Sequence, residues 1–167
     1  MRIYLVSYEF PPSGGGEATY TRALATSFAK DGHDVAVIVP KASRPLDVGD
    51  GTYQMIPVQT VGPIRGATFL AGAERVLEDL TEGSRKPDIV HVTFDYPTFL
   101  FHLGRLRIPC VATLHHLHIV EALSASSSGP GAGVSRLLRA SILSSLERRL
   151  LNQCRLVLAV SSFTAST

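Results

Sequence analysis

The chain has 167 residues, of which 45% are hydrophobic and 18% charged, with a net charge of +2. That is one domain's worth of globular sequence, too apolar for disorder and too weakly basic for a nucleic-acid partner. A chain of this length removes about 68–70% of its unfolded surface from water, so a sizeable core is expected.

The first apolar run, Arg2 to Ser7, reads as a strand buried on both faces. Tyr8 to Glu17 follows, with Pro11, Pro12 and the consecutive glycines Gly14, Gly15 and Gly16. A helix is expected from Ala18 to about Lys30, with Tyr20, Leu24 and Phe28 as its apolar stripe and Arg22, Thr26 and Lys30 on its wet face. Gly32 stops it. Asp34 to Val39 is a second strand closed by Pro40, and Thr52 to Val58 a third, at an edge because Pro57 cannot donate a hydrogen bond. A helix from about Ala67 to Glu82 buries Leu70, Ala73, Leu77 and Leu80. Asp88 to Thr93 is a fourth strand, Tyr96 to Arg105 a short helix, Cys110 to Leu114 a fifth strand, Ser135 to Asn152 a long helix and Arg155 to Val160 a sixth strand. The stretch 115–134 between them is irregular.

Strands alternating with helices imply an α/β fold with a doubly wound parallel sheet. Ligands of such folds bind outside the carboxyl ends of the strands. Those ends carry the glycine loop, Thr93 and Asp95, His115 and His116, and Ser161 and Ser162. Glycines between a strand and a helix let backbone amides approach a ligand, and the helix turns its positive end to the same place. A phosphate-bearing ligand fits that context; a merely flexible turn is the alternative. The glycines lack the spacing of a dinucleotide fingerprint and the lysine of a Walker loop. Glu17 complements the helix dipole but repels a phosphate unless it points aside.

His91, inside the fourth strand, reads as a hydrogen-bonded core histidine. His115 is better placed for a substrate, because neutral imidazole both donates and accepts. No metal is expected, since no carboxylate or cysteine stands at ligand spacing and adjacent histidines on a strand point opposite ways. Cys110 and Cys154 read as buried thiols in a reducing compartment. Arg136, Arg139, Arg148 and Arg149 make the long helix basic. Such a helix can lie on an anionic membrane, although packing on the sheet with solvated arginines accounts for it as well. Glu74, Glu78 and Glu82 share a solvated helix face. No apolar run reaches the ~18 residues of a membrane span, and no signal peptide is expected ahead of the opening strand.

Pro11-Pro12-x-Gly-Gly-Gly, then Leu24-Ala25 and Gly32-His33-Asp34-Val35, resembles the opening of the retaining glycosyltransferases of family four, which have the GT-B architecture. Pro87-Asp88-Ile89-Val90-His91 resembles their fourth strand, and Thr113-Leu114-His115-His116 their Thr-x-His-Asp segment. Leu146-Glu147-Arg148-Arg149-Leu150, with Val157-Leu158-Ala159-Val160-Ser161, resembles their last helix and strand of this half. Two positions depart: Thr93 stands where the family often has a second histidine, and His116 where it has Asp.

The resemblance implies that residues 1–167 are the acceptor-side, Rossmann-like N-terminal domain, with the C-terminal nucleotide-sugar domain and its Glu-x7-Glu motif absent from this chain. The spacing of Glu74 and Glu82 copies that motif on the wrong half, a coincidence. The implied donor is a nucleotide-diphosphate sugar, with no cofactor and no metal. Gly14, Gly15 and Gly16 would face its phosphates, and His115 would be the catalytic contact to the donor sugar. Glu17, Thr93, Asp95, His116 and Ser161 are candidate acceptor or sugar contacts. The acceptor would be a carbohydrate, a lipid or a small molecule, and the missing half would be supplied in cis or in trans. A fragment or one member of a split enzyme is expected, nearly inactive alone, cytoplasmic, with peripheral contact at the inner face of the membrane open to the basic helix. The alternatives are a non-catalytic binding or partner subunit with the same fold, or half of a sugar-nucleotide epimerase.

Overall fold

The computed structural model describes residues 1–12, 14–41, 52–61, 65–93, 107–115, 141, 145, 148–149 and 152–160. Their element order is β1 (Arg2–Val6), α1 (Gly16–Lys30), β2 (Asp34–Pro40), β3 (Gln54–Val58), α2 (Arg65–Glu82), β4 (Ile89–Val92), β5 (Cys110–Leu114) and β6 (Leu156–Ala159). The six strands form one sheet in the order β3-β2-β1-β4-β5-β6. Every pairing is parallel. The chain therefore starts mid-sheet, builds outward to β3, then crosses back past β1 to build the other side. The crevice between β1 and β4 is the switch point at which such sheets open toward a ligand.

Side chains alternate across the sheet, and two cores result. On one face Tyr4, Val6, Ala36, Ile38, Val90 and Val92 pack against Phe69, Leu70, Ala73 and Leu77 of α2. On the other, Ile3, Leu5, Val35, Val37 and Val39 pack against Ala25 and the flanking Leu24, Phe28 and Ala29 of α1. A Cβ at Gly72 would collide with the side chain of Val58, so that glycine brings α2 close to β3. β3 is an edge strand with Pro57 in its ladder, as the sequence predicts. β6 is the opposite edge, and all four of its residues are exposed.

The buried line of α1 differs from the expected stripe. Ala18, Thr21 and Ala25 are buried, whereas Tyr20 is half-buried. Small residues let the helix sit close on the sheet, and the larger side chains splay to its flanks. The expected helix at 96–105 and most of the one at 135–152 lie outside the described residues; residues 141, 145, 148 and 149 are helical, with Arg148 and Arg149 exposed. Both cysteines are free thiols, Cys110 buried and Cys154 half-buried, with sulfurs 3.4 Å apart. Glu78 and Glu82 are exposed and Glu74 is half-buried.

Candidate active site

The carboxyl ends of β1, β4 and β5 and the start of α1 meet at the switch point. The loop between β1 and α1 turns through Gly14, which has φ +98°. That left-handed conformation strains any residue with a side chain. An added Cβ would also stand 2.7 Å from Glu9 Oε2 and 2.8 Å from the Ala18 Cβ. Gly14 is thus demanded by the loop itself. Gly15 and Gly16 are different: a Cβ on either would meet nothing within 4 Å among the described residues. Their missing side chains leave open space on the outer side of the loop.

Gly15 is the N-cap of α1, and its carbonyl accepts the first helical bond, from Thr19 N at 3.2 Å. The amides of Gly16, Glu17 and Ala18 precede that bond and have no acceptor within the helix. Together with the helix dipole they favour an anion at this end. The Gly15 amide donates to Glu9 Oε2 at 3.0 Å. This glycine lip thus carries a carboxylate already seated on one of its amides. Glu17 lies in the first turn and is half-buried.

Beneath the lip the α1-side core turns from aliphatic to hydroxylic. Ser7, Thr21, Thr93 and Thr113 are buried there, with His91. Ser7 Oγ donates to the Glu9 carbonyl at 2.7 Å. Each hydroxyl has one proton. Ser7 has spent its own, so Thr21 donates to Ser7 at 3.1 Å, and Thr93 in turn donates to Thr21 at 2.7 Å. Thr93 also lies 3.3 Å from the Val6 carbonyl and shares its proton there. The chain of hydroxyls runs from the end of β4 to the backbone of Glu9, the residue that holds Gly15. A second chain joins His91 Nε2 to Thr113 Oγ1 at 2.8 Å and Thr113 Oγ1 to the Tyr20 hydroxyl at 3.2 Å. Burial pushes the His91 pKa down to about 4, so it is neutral near pH 7. His91 is the core histidine that the sequence predicts.

His115 follows β5 directly and is half-buried. Its ring lies perpendicular to that of Tyr20, with centroids 5.0 Å apart. Thr93 is 0% exposed. Its side chain lies under the rim, bonded to Thr21 and the Val6 carbonyl. Asp95, His116 and Ser161 lie outside the described residues. The sequence reading gives Ser7, Tyr20, Thr21 and Thr113 no role at the site. The signal for three of them was present: a hydroxyl residue at the carboxyl end of each central strand, on the same face, above a helix carrying Thr21. Among the described residues no three His, Cys, Asp or Glu side chains form a metal-holding group. Among them also no helix is long and apolar enough to cross a membrane.

Residues 14–167 match the sequence model of Glycosyltransferase Family 4. The chain belongs to this family. The family 4 chain is 29% identical to the MMP alpha-(1->4)-mannosyltransferase of Mycolicibacterium hassiacum, in a match covering 70% of this chain and 35% of that protein. In structure it is similar to sucrose-phosphate synthase from Thermosynechococcus elongatus, with TM-score 0.62, 16% identity, and coverage of 95% of this chain and 47% of that one. It is also similar to a UGT transferase from Siraitia grosvenorii solved in complex with UDP, with TM-score 0.58, 12% identity, and coverage of 94% and 44%. The family 4 chain thus spans about a third to a half of the relatives it matches. Its fold is that of the N-terminal half of a GT-B glycosyltransferase.

Proposed function

We propose that this chain is the acceptor-side half of a glycosyltransferase that moves a sugar from a nucleotide-diphosphate sugar to an acceptor, with retention of anomeric configuration. The observation that carries the reading is the open glycine lip: Gly15 and Gly16 present the start of α1 at the β1–β4 switch point, and among the described residues nothing lies within 4 Å of where a Cβ on either would stand. Family membership, the mannosyltransferase relative and the UDP held by a neighbour of the same fold support it. They favour transfer over the epimerase and over a non-catalytic subunit.

In this reading the difficult step is departure of the nucleoside diphosphate. Negative charge grows on its oxygens as the bond to the sugar breaks. Amides aimed at that charge contribute about 2.7–4 kcal/mol each when they are fixed in advance. The unspent amide of Gly16 is one such donor. Gly15 is another once the Glu9 carboxylate gives way to a phosphate oxygen. His115, beyond the end of β5, orients the donor sugar and stabilises polar character at its ring. Glu17, with Asp95, His116 and Ser161, would face the sugar or the acceptor, a carbohydrate, a lipid or a small molecule.

The opposite wall of the cleft, a C-terminal GT-B half in cis or in trans, would hold the nucleotide; without it turnover would be negligible. No metal or other cofactor is required by the reading. It places the enzyme in the cytoplasm, with peripheral contact at the inner membrane face through the basic helix. The test is donor hydrolysis and transfer by the enzyme with both halves assembled. His115→Ala is expected to abolish both while the protein stays folded; unchanged activity would contradict the role of His115.

A further inference from the structure

We propose that Tyr20 is a positioning residue for His115: its ring packs perpendicular to the imidazole, and its hydroxyl, held by Thr113 and through Thr113 by His91, fixes where that ring stands. The proposal rests on the reading of His115 as the contact to the donor sugar.

His115 is the residue at which the chain leaves the sheet. Its imidazole is half-buried, so two rotatable bonds would leave it several orientations unless a neighbour selects one. Tyr20 is such a neighbour. The ring planes meet at 81° with centroids 5.0 Å apart, an arrangement that ring quadrupoles favour. A tyrosine ring on a helix flank could itself rotate away. Here its far end is tied, 3.2 Å from Thr113 Oγ1. Thr113 in turn lies 2.8 Å from His91 Nε2, and both are buried.

The protons permit only an ordered chain. If His91 Nε2 accepts, Thr113 donates to it and Tyr20 must donate to Thr113. If Nε2 carries the proton, Thr113 accepts from His91 and keeps its own proton for Tyr20. Both arrangements anchor the phenol. The anchor lies in the sheet core, and its tip is the ring against His115. A tyrosine is needed at this position because phenylalanine supplies the ring without the tie, and an aliphatic residue supplies neither.

The test is nuclear magnetic resonance of the histidine ring protons in the chain without donor, with His115 assigned by His115→Gln. Tyr20→Leu is expected to move the His115 ring signals toward those of a free histidine. Tyr20→Phe, which should fold because it keeps the ring, is expected to move them the same way by a smaller step. Thr113→Val should match Tyr20→Phe, and Thr113→Ser should restore the native positions. A general loss of structure would move amide signals throughout the sheet; positioning moves His115 and its immediate neighbours. Native His115 signals in Tyr20→Leu would overturn the packing, and native signals in Tyr20→Phe would overturn the anchor. Because no donor is present, either result is independent of the His115→Ala turnover test, and a failure of that test leaves this one standing.

Discussion

The two ends of the sheet are tied by different chemistry. At the amino ends of the strands the ties are charged. Arg2 Nε meets Asp34 Oδ2 at 2.7 Å, its Nη1 donates to the Ser84 carbonyl at 3.0 Å, and its amide donates to Asp88 Oδ2 at 2.7 Å. β1, β2 and the approach to β4 are joined there by partners that satisfy one another. At the carboxyl ends the ties are neutral hydroxyls, buried, and they lead outward to a loop of glycines. The lower end is a closed lock; the upper end is a support with something left over, namely amides that the helix does not use. Both ends lie within stretches that resemble the family's motifs, Asp34 and Asp88 at one and Gly14 to Gly16 at the other. Membership of a motif therefore does not mark a residue as a ligand contact; its surroundings do.

The largest expected effect at the upper end comes from acid. The imidazole of His91 takes its proton near 6.5 in the unfolded chain and only at about 4 in the folded one. Between those values the unfolded state binds more protons, so stability is complete above about pH 6.5 and is lost as pH falls toward 4. The loss from this group is about 3 kcal/mol and levels off below pH 4. Denaturant melts across this range measure it, and His91→Gln should flatten that part of the profile.

Gly14→Ala comes next. A positive φ and a clash with Glu9 and Ala18 should cost about 2–3 kcal/mol. Gly15→Ala, with open space around it, should cost under about 1 kcal/mol. Equal losses in thermal melts of the two variants would erase the distinction between a glycine the loop needs and one the ligand needs. Thr21→Val should follow at about 1–2 kcal/mol, because Thr93 loses its short acceptor and Ser7 its donor while each keeps a backbone carbonyl. Asp34→Asn at the lower end should have the smallest effect, and added salt should shrink it further, because that ion pair is solvent-exposed. A loss there larger than that of Thr21→Val would reverse the comparison.

Much of the architecture was legible in the sequence. The six strands, the edge position of β3 and the core role of His91 follow from apolar runs, a proline and a lone polar residue in a strand. What escaped were relations between elements. Tyr20 was assigned to an apolar stripe because its spacing to Leu24 and Phe28 is helical; only the packing of α1 turns it toward Thr113 and His115. Thr93 sits at a strand end, and only the packing of α1 sets the Thr21 hydroxyl against it. Glu9 carries no spacing signal at all toward Gly15, since the turn through Gly14 brings them together. Periodicity reports which way a side chain faces along its own element, and says nothing of what another element sets against it.

The most direct test of the central claim, that the glycine lip receives a diphosphate, is an amide-resolved titration of the enzyme, with both halves assembled, with UDP. The signals of Gly15 and Gly16 should move and saturate, and Gly15→Val should abolish the response while its melting temperature stays close to native. Unmoved Gly15 and Gly16 signals, or native binding by Gly15→Val, would contradict it.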